Sequence, residues 1–180
     1  MNLPNKLTIL RALMVPVFVF FILYPAEQEM LFRLIALFLF CTDSFTDYLD
    51  GHIARKRNLV TNFGKFMDPL ADKLLVCSAL ICMISLSRLP AWYVIILISR
   101  EFIISGFRLI AVEQNVVIAA SYFGKLKTVS QMVMIILLIL QLPALHFVNL
   151  LFIYLSLILT IVSLIDYVYK NHKVISEGGF

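Results

Sequence analysis

The sequence predicts an all-α integral membrane bundle of six transmembrane helices with both termini in the cytoplasm. Three observations predict it: an excess of apolar residues, six long apolar stretches, and a one-sided distribution of positive charge. The chain is 62% hydrophobic and 14% charged, whereas soluble domains are about 45–50% apolar and about 25% charged. A monomer in water could not bury this much apolar surface, so we expect lipid to be its solvent.

Each apolar stretch has about the length of 20 residues that a helix needs to cross the hydrocarbon core. Prolines at positions 25, 90 and 143 mark three of the breaks. No small-residue cleavage site follows the first stretch, so we expect a retained helix and not a removed signal peptide. No internal repeat is visible, which favours a single domain over residues 1–180. The predicted spans are residues 7–24, 31–53, 65–86, 91–112, 124–142 and 147–169.

Positive charge predicts the orientation of these spans. With six spans, all of the 15 Lys and Arg residues except Arg33 and Arg88 lie on the side that holds both termini. Because Lys and Arg accumulate in cytoplasmic loops during insertion, this side is predicted to be the cytoplasm. The net charge of +4 is therefore explained by topology and by attraction to anionic lipid. No motif for nucleic-acid binding is present.

Four aspartates lie at the facing ends of the second and third spans. Asp47 and Asp50 are three residues apart, and Asp68 and Asp72 are four apart, so each pair shares a helix face. Consecutive antiparallel helices can bring the two pairs together near the cytoplasm. Four carboxylates without His or Cys suit hard divalent cations such as Mg²⁺, Mn²⁺ or Ca²⁺. Two such ions can clamp a diphosphate during displacement at phosphorus.

Two other interpretations of the aspartates stay open at this point. They could form a solvated helix end that faces the basic loop, or serve a transporter for protons or cations. Transporter sites, however, lie near the midplane on broken helices with paired repeats, a pattern that this sequence lacks. Asp43 lies one turn before Asp47 on the same face, and it either supports the acidic cluster or is solvated.

The spacing of residues around these aspartates is specific. It reads Asp-x2-Asp-Gly-x2-Ala-Arg-x8-Gly-x3-Asp-x3-Asp over residues 47–72. This pattern resembles the full signature of the CDP-alcohol phosphatidyltransferase family. The resemblance implies a six-helix membrane enzyme of the cytoplasmic membrane, a homodimer with an active site that faces the cytoplasm. It also implies CDP-diacylglycerol as the donor and two divalent metal ions, Mg²⁺ or Mn²⁺, as cofactors.

The resemblance also implies a role for each residue of the signature. Asp72 would be the general base that takes the proton of the acceptor hydroxyl. Arg55 would organise the acidic residues or the phosphates. Small residues would let the nucleotide approach the backbone, since they carry little or no side-chain bulk. The implied metal ligands are Asp47, Asp50, Asp68 and Asp72, and the implied nucleotide-binding residues are Gly51, Ala54, Arg55 and Gly64.

The acceptor must be inferred from basic residues outside the signature. Arg100 and Arg108 are eight residues apart, about two helical turns, so they share a face. Lys125 and Lys127 enter the next helix from the same side. Four cations beside the acidic site predict a pocket for an acceptor that carries its own phosphate, although positive-inside topology alone could also explain them.

These basic segments and residues 2–11, Asn-Leu-Pro-Asn-Lys-Leu-Thr-Ile-Leu-Arg, resemble the branch of the family whose acceptor is glycerol 3-phosphate. The predicted reaction is therefore transfer of the phosphatidyl group from CDP-diacylglycerol to glycerol 3-phosphate. An inositol phosphate or a second phospholipid is the alternative acceptor.

Overall fold

The computed structural model describes the backbone of residues 3–24, 29–57, 62–113 and 121–177. Side chains are described for residues 9–24, 29–46, 73–109, 111 and 121–171. Within these ranges the regular structure is entirely helical, which confirms the all-α prediction. The helices are α1 (Leu3–Leu23), α2 (Glu29–Arg57), α3 (Asn62–Ser85), α4 (Ala91–Glu113), α5 (Tyr122–Leu140) and α6 (His146–Glu177), with a short 3₁₀ turn, Pro143–Leu145, before α6.

Each helix contains most of one predicted span, and the clearest differences are extensions into charged sequence. The second helix continues to Arg57 and the sixth to Glu177, because Lys, Arg and Glu propagate a helix well once it has begun. In α6 the helical dihedral angles break at Asn171, where φ is −115° and ψ is 17°. The amide of Asn171 donates a 2.8 Å hydrogen bond to the Tyr167 carbonyl at this kink. The apolar part of α6 therefore ends close to the predicted boundary at residue 169.

Two segments of the described chain are long and apolar enough to cross a membrane: Tyr122–Leu140 and Pro143–Asn171. Shorter apolar helical segments cover Ile9–Leu23 and Lys73–Ser85. The other two helices include charged residues within their apolar stretches, such as Arg33 in α2 and Arg100 in α4.

The chain divides into two compact units, of which the first is Met1–Arg88. In this unit α1 packs along both α2 and α3. Phe18 of α1 and Phe40 of α2 are fully buried, and their ring centroids lie 6.1 Å apart. From α3, Leu75, Ala79, Leu80 and Met83 complete the apolar core.

Arg33 and Arg88 lie close together in this unit. They are the two basic residues that the charge pattern does not place on the cytoplasmic side. Arg33 forms an ion pair with Glu29 one turn earlier on α2. Burial and the charge of Arg33 lower the pKa of Arg88, while Glu29 opposes that shift. The start of α2 and the segment after α3 therefore meet, as expected for consecutive antiparallel helices.

The second unit is Leu89–Phe180, in which α4 and α5 both pack on α6. Small polar residues of α6 line the contact: Ser156, Thr160 and Ser163 are buried at intervals of four and three residues. Small residues in such a seam allow helices to approach closely in apolar surroundings. The buried Tyr93 of α4 crosses the seam and donates a 2.8 Å hydrogen bond to the Ile153 carbonyl.

Candidate active site

The four signature aspartates lie on the two helices that the sequence predicts. Asp47 and Asp50 belong to α2, and Asp68 and Asp72 belong to α3. The backbone is helical at all four positions, so the spacings of three and four residues place each pair on one helix face. Their side chains lie outside the described residues, and their assignment as metal ligands stays a prediction.

The remaining signature residues also lie within these helices. Gly51, Ala54 and Arg55 belong to the last two turns of α2, which continues through the glycine to Arg57 without interruption. Gly64 lies in the first turn of α3. Their side chains and surroundings lie outside the described residues, so the predicted nucleotide contacts are not tested.

Asp43 belongs to a buried ion pair that the sequence did not reveal. Its Oδ1 lies 3.4 Å from Nε of Arg11 on α1, and the two side chains are 3% and 4% exposed. A solvated position for Asp43 is therefore wrong. The pair joins α1 to α2 one turn before Asp47.

A second buried ionic cluster joins α4, α5 and α6. Glu101 accepts hydrogen bonds from Arg100, at 3.1 Å, and from Lys127. Nε of Arg100 donates a 3.1 Å hydrogen bond to Ser163 of α6. Arg100 is 7% exposed and Lys127 is 1% exposed. Among the residues whose side chains are described, two cations thus share the carboxylate of Glu101.

The start of α5 lies against this cluster. Ser121 is the N-cap, and its hydroxyl accepts a 3.1 Å hydrogen bond from the Gly124 N–H. A Cβ at Gly124 would lie 3.3 Å from Nη2 of Arg100, so the glycine leaves room for the guanidinium beside the helix. The first turn of α5 contains no acidic residue. The partial positive charge of the helix start therefore adds to that of the cations.

Arg108 and Lys125 are exposed, unlike the other two predicted cations. Both Arg108 and Arg100 interact electrostatically with the buried Tyr167 of α6, which agrees with the shared face predicted for the two arginines. The structure therefore brings Arg100 and Lys127 together on Glu101, and Arg100 and Arg108 together near Tyr167. The binding of an acceptor phosphate by these four residues stays a prediction.

Glu101 and Ser163 were not recognisable from the spacing of the sequence as partners of Arg100 and Lys127. One signal for Glu101 was available, since an acidic residue between cations within an apolar helix needs neutralisation. Ser163 gave no comparable signal, because its partner Arg100 lies 63 residues earlier. For Asp43, the position one turn before Asp47 on the same helix face was the signal that it could support the acidic cluster.

The chemistry of the four aspartates fits divalent metal ions. They supply only oxygen ligands, as Mg²⁺ and Mn²⁺ prefer, and the structure places them on two neighbouring helices of one unit. The residues whose side chains are described do not include the four aspartates. Among those described residues, no group of three or more His, Cys, Asp or Glu residues could hold a metal ion.

Comparison with known proteins identifies the family of the chain. The model of the family described as CDP-alcohol phosphatidyltransferase matches residues 1–162. The CDP-diacylglycerol–glycerol-3-phosphate 3-phosphatidyltransferase of Bacillus subtilis is 40% identical, over 99% of both chains. Its namesake in Rickettsia typhi is 42% identical, over 77% of this chain and 76% of its own. A Mycobacterium tuberculosis protein named "Probable phosphatidylglycerophosphate synthase" is 40% identical, over 93% of this chain and 80% of its own.

The family match includes both pairs of signature aspartates and the charged residues Arg100, Glu101 and Lys127, and it extends over most of the described helices. The chain belongs to the CDP-alcohol phosphatidyltransferase family.

Proposed function

We propose that the protein transfers the phosphatidyl group from CDP-diacylglycerol to glycerol 3-phosphate, giving phosphatidylglycerophosphate and CMP. The observation that carries this proposal is the identity of 40% with the Bacillus subtilis enzyme of that name, which extends over 99% of both chains. The complete acidic signature over residues 47–72 supports the same chemistry. The match of the family model to residues 1–162, which include parts of both units, supports one functional domain.

Asp47, Asp50, Asp68 and Asp72 would hold two divalent ions, Mg²⁺ or Mn²⁺. When bound, such ions neutralise the diphosphate and stabilise the leaving CMP. The acceptor hydroxyl oxygen forms a new bond to the β-phosphorus of the donor, and the bond from that phosphorus to the oxygen of CMP breaks. Asp72 takes the proton of the hydroxyl, for which it must be ionised, and nearby cations favour the ionised form.

The nucleotide of the donor would lie against Gly51, Ala54 and Gly64. Because these positions carry no side chain beyond a methyl group, a planar base and its ribose can approach the helix backbone. Arg55 would pair with the phosphates or with the aspartates. A guanidinium suits this role because it stays charged and presents several donors in one plane.

Arg100, Arg108, Lys125 and Lys127 would bind the phosphate of the acceptor. Arg100 and Lys127 share the carboxylate of Glu101, which holds both cations in the buried region. Of the four cations, Arg108 and Lys125 are the two whose side chains are exposed to solvent. An incoming phosphate dianion would be attracted by these four cations and would accept hydrogen bonds from their N–H groups.

In the membrane, we propose six spans with both termini and the active site on the cytoplasmic side, and a homodimer. The large apolar side chains on the outer face of α6 support lipid exposure, since 84% of Phe147 and 63% of Ile165 is accessible. Contiguous exposed apolar surface of this kind is unusual in soluble monomers. Residues 170–177 extend α6 beyond its apolar part, where Lys170 and Lys173 provide positive charge for the cytoplasmic side.

The Asp72→Asn variant tests the proposed chemistry directly. We expect it to be folded but to release CMP at less than about one hundredth of the wild-type rate, because a general base typically contributes about 10²–10⁴-fold. Asp166→Asn is the matched control, since this aspartate of α6 is paired with Lys170 at 2.7 Å and lies outside the signature. Chelation of divalent ions should abolish wild-type activity. Wild-type activity in Asp72→Asn would contradict the role of Asp72.

A further inference from the structure

The helices that carry the signature aspartates are both packed against α1. Among the described residues, α1 makes extensive contacts with α2 and with α3, whereas the direct contact between α2 and α3 is small. The relative positions of the two aspartate pairs therefore depend on how α1 lies between their helices. One buried residue of α1, Arg11, is charged.

Arg11 and Asp43 form an ion pair at a buried contact between α1 and α2. Their side chains are 4% and 3% exposed, with Nε and Oδ1 3.4 Å apart. Removing such a pair from water costs several kcal/mol per ion, and apolar residues of similar volume often stabilise a fold equally well or better. Helix packing alone therefore gives no reason to place an ion pair at this position.

The position of Asp43 on α2, one turn before the signature aspartates, suggests a reason for the ion pair. Residues 43, 47 and 50 follow one another at intervals of four and three along α2. They lie on one face of the helix. Asp43 thus continues the line of carboxylates by one turn, and Arg11 fixes that turn of α2 to α1. A buried ion pair between two helices favours the rotation of α2 that keeps Arg11 beside Asp43, because separating the two buried charges is costly.

We propose that Arg11 and Asp43 are positioning residues, whose ion pair fixes α2 on α1 and thereby sets the affinity of the four signature aspartates for divalent metal. This inference rests on the proposed metal site. Partners that orient metal ligands commonly affect metal affinity by about 10–100-fold when they are replaced.

A charge-neutral double variant separates positioning from electrostatics. Arg11→Met with Asp43→Asn removes one positive and one negative charge, so the net charge near the aspartates is unchanged, and both replacements keep the approximate side-chain volume. The matched control is Arg33→Met with Glu29→Gln, which removes the ion pair at the other end of the same helix. Size-exclusion elution and helical circular dichroism of each purified protein establish that it is folded.

Binding of Mn²⁺ is measured by electron paramagnetic resonance, in which the signal of free Mn²⁺ disappears on binding. We expect the Mn²⁺ dissociation constant of the Arg11–Asp43 double variant to rise about 10–100-fold, and that of the control to stay within about twofold of wild type. CMP release should then require more Mn²⁺ for half-maximal rate while approaching the wild-type kcat at saturating Mn²⁺. Wild-type Mn²⁺ affinity in the folded double variant would overturn the proposal.

Two further results keep the inference distinct from the proposed function. If the double variant does not fold, the conservative variants Arg11→Lys and Asp43→Glu replace it. Both are expected to bind Mn²⁺ with reduced affinity, and wild-type affinity in both would overturn the positioning role. If wild-type protein binds no Mn²⁺, or if Asp47→Asn binds it normally, the proposed metal site fails and the inference fails with it.

Discussion

At the residue scale, two buried cations of the second unit are paired with one carboxylate. Glu101 neutralises both Arg100 and Lys127, and Ser163 accepts a further hydrogen bond from Arg100. Since the two cations are largely buried, water can replace little of what Glu101 provides. We therefore expect Glu101 to stabilise Arg100 and Lys127 within the apolar bundle.

The Glu101→Gln variant should be markedly less stable. Breaking a buried ion pair by removing one partner costs about 3–5 kcal/mol, because the other charge stays buried without its counter-ion. We expect a decrease of about 3 kcal/mol in the free energy of unfolding, measured by SDS titration in mixed micelles. Glu29→Gln is the control, because its ion pair with Arg33 is exposed on the Glu29 side. It should cost less than about 1 kcal/mol; equal losses in the two variants would contradict the buried role of Glu101.

Arg108→Ala should affect the acceptor more than the donor. Loss of one hydrogen-bonded cation from a phosphate site costs about 1.5–3 kcal/mol, so we expect the KM for glycerol 3-phosphate to rise at least about tenfold. The KM for CDP-diacylglycerol should stay near wild type. Lys170→Ala, which removes another exposed cation of the same unit, should change neither constant. A selective rise in the donor KM would instead assign Arg108 to the nucleotide.

Individual residues were predictable from the sequence where their spacing was regular. The helical positions of the eight signature residues and the shared face of Arg100 and Arg108 were predictable in this way, whereas the roles of the signature residues stay predictions. The partners of buried charges were not predictable in this way, because Arg11 and Asp43, or Arg100 and Ser163, meet only through packing between helices. Intervals within one helix say nothing about such contacts.

At the scale of the helix, the start of α5 illustrates how local sequence positions the basic residues. Ser121 caps the helix three residues before Gly124, and Lys125 and Lys127 follow in the first two turns. The cap fixes where the helix begins, and the register of the two lysines follows from it. That register exposes Lys125 and buries Lys127.

Ser121→Ala should therefore weaken α5. Loss of a serine N-cap costs about 0.5–2 kcal/mol, so we expect a decrease of about 1 kcal/mol in the free energy of unfolding in mixed micelles. Thr128→Ala is a suitable control, because the hydroxyl of the exposed Thr128 donates to the Gly124 carbonyl within the helix and caps no helix end. A loss in Thr128→Ala as large as that in Ser121→Ala would contradict the capping role.

The existence and order of the helices were predictable because each apolar stretch is long and bounded by polar residues or proline. Their ends were less predictable: α2 and α6 continue past the predicted boundaries of their spans. Hydropathy marks where a helix leaves lipid, whereas backbone hydrogen bonding decides where it ends. Where charged residues that favour helix follow the apolar stretch, as in α2 and α6, the helix continues beyond the predicted end of the span.

At the scale of the whole molecule, the distribution of Lys and Arg predicts the orientation in the membrane. The exceptions, Arg33 and Arg88, lie close to each other and to Glu29, so one carboxylate offsets part of their charge. Their proximity is consistent with a short extracytoplasmic turn between antiparallel spans. With six spans and cytoplasmic termini, the turn between α3 and α4 would be accessible from outside the cell.

Cysteine labelling in intact cells tests that orientation. In a variant without Cys41, Cys77 and Cys82, Ser87→Cys should react with a membrane-impermeant maleimide, because Ser87 is exposed in the turn after α3. Lys170→Cys should react only after the cells are permeabilised. Labelling of Lys170→Cys in intact cells, without labelling of Ser87→Cys, would reverse the proposed topology.

The central proposal concerns the identity of the acceptor, and CMP release by the purified wild-type protein tests it most directly. The assay contains CDP-diacylglycerol and Mn²⁺, and compares glycerol 3-phosphate, inositol 1-phosphate, serine and phosphatidylglycerol as acceptors. We predict rapid release of CMP with glycerol 3-phosphate and only background release with the other three. Release with another acceptor but not with glycerol 3-phosphate would contradict the proposed function.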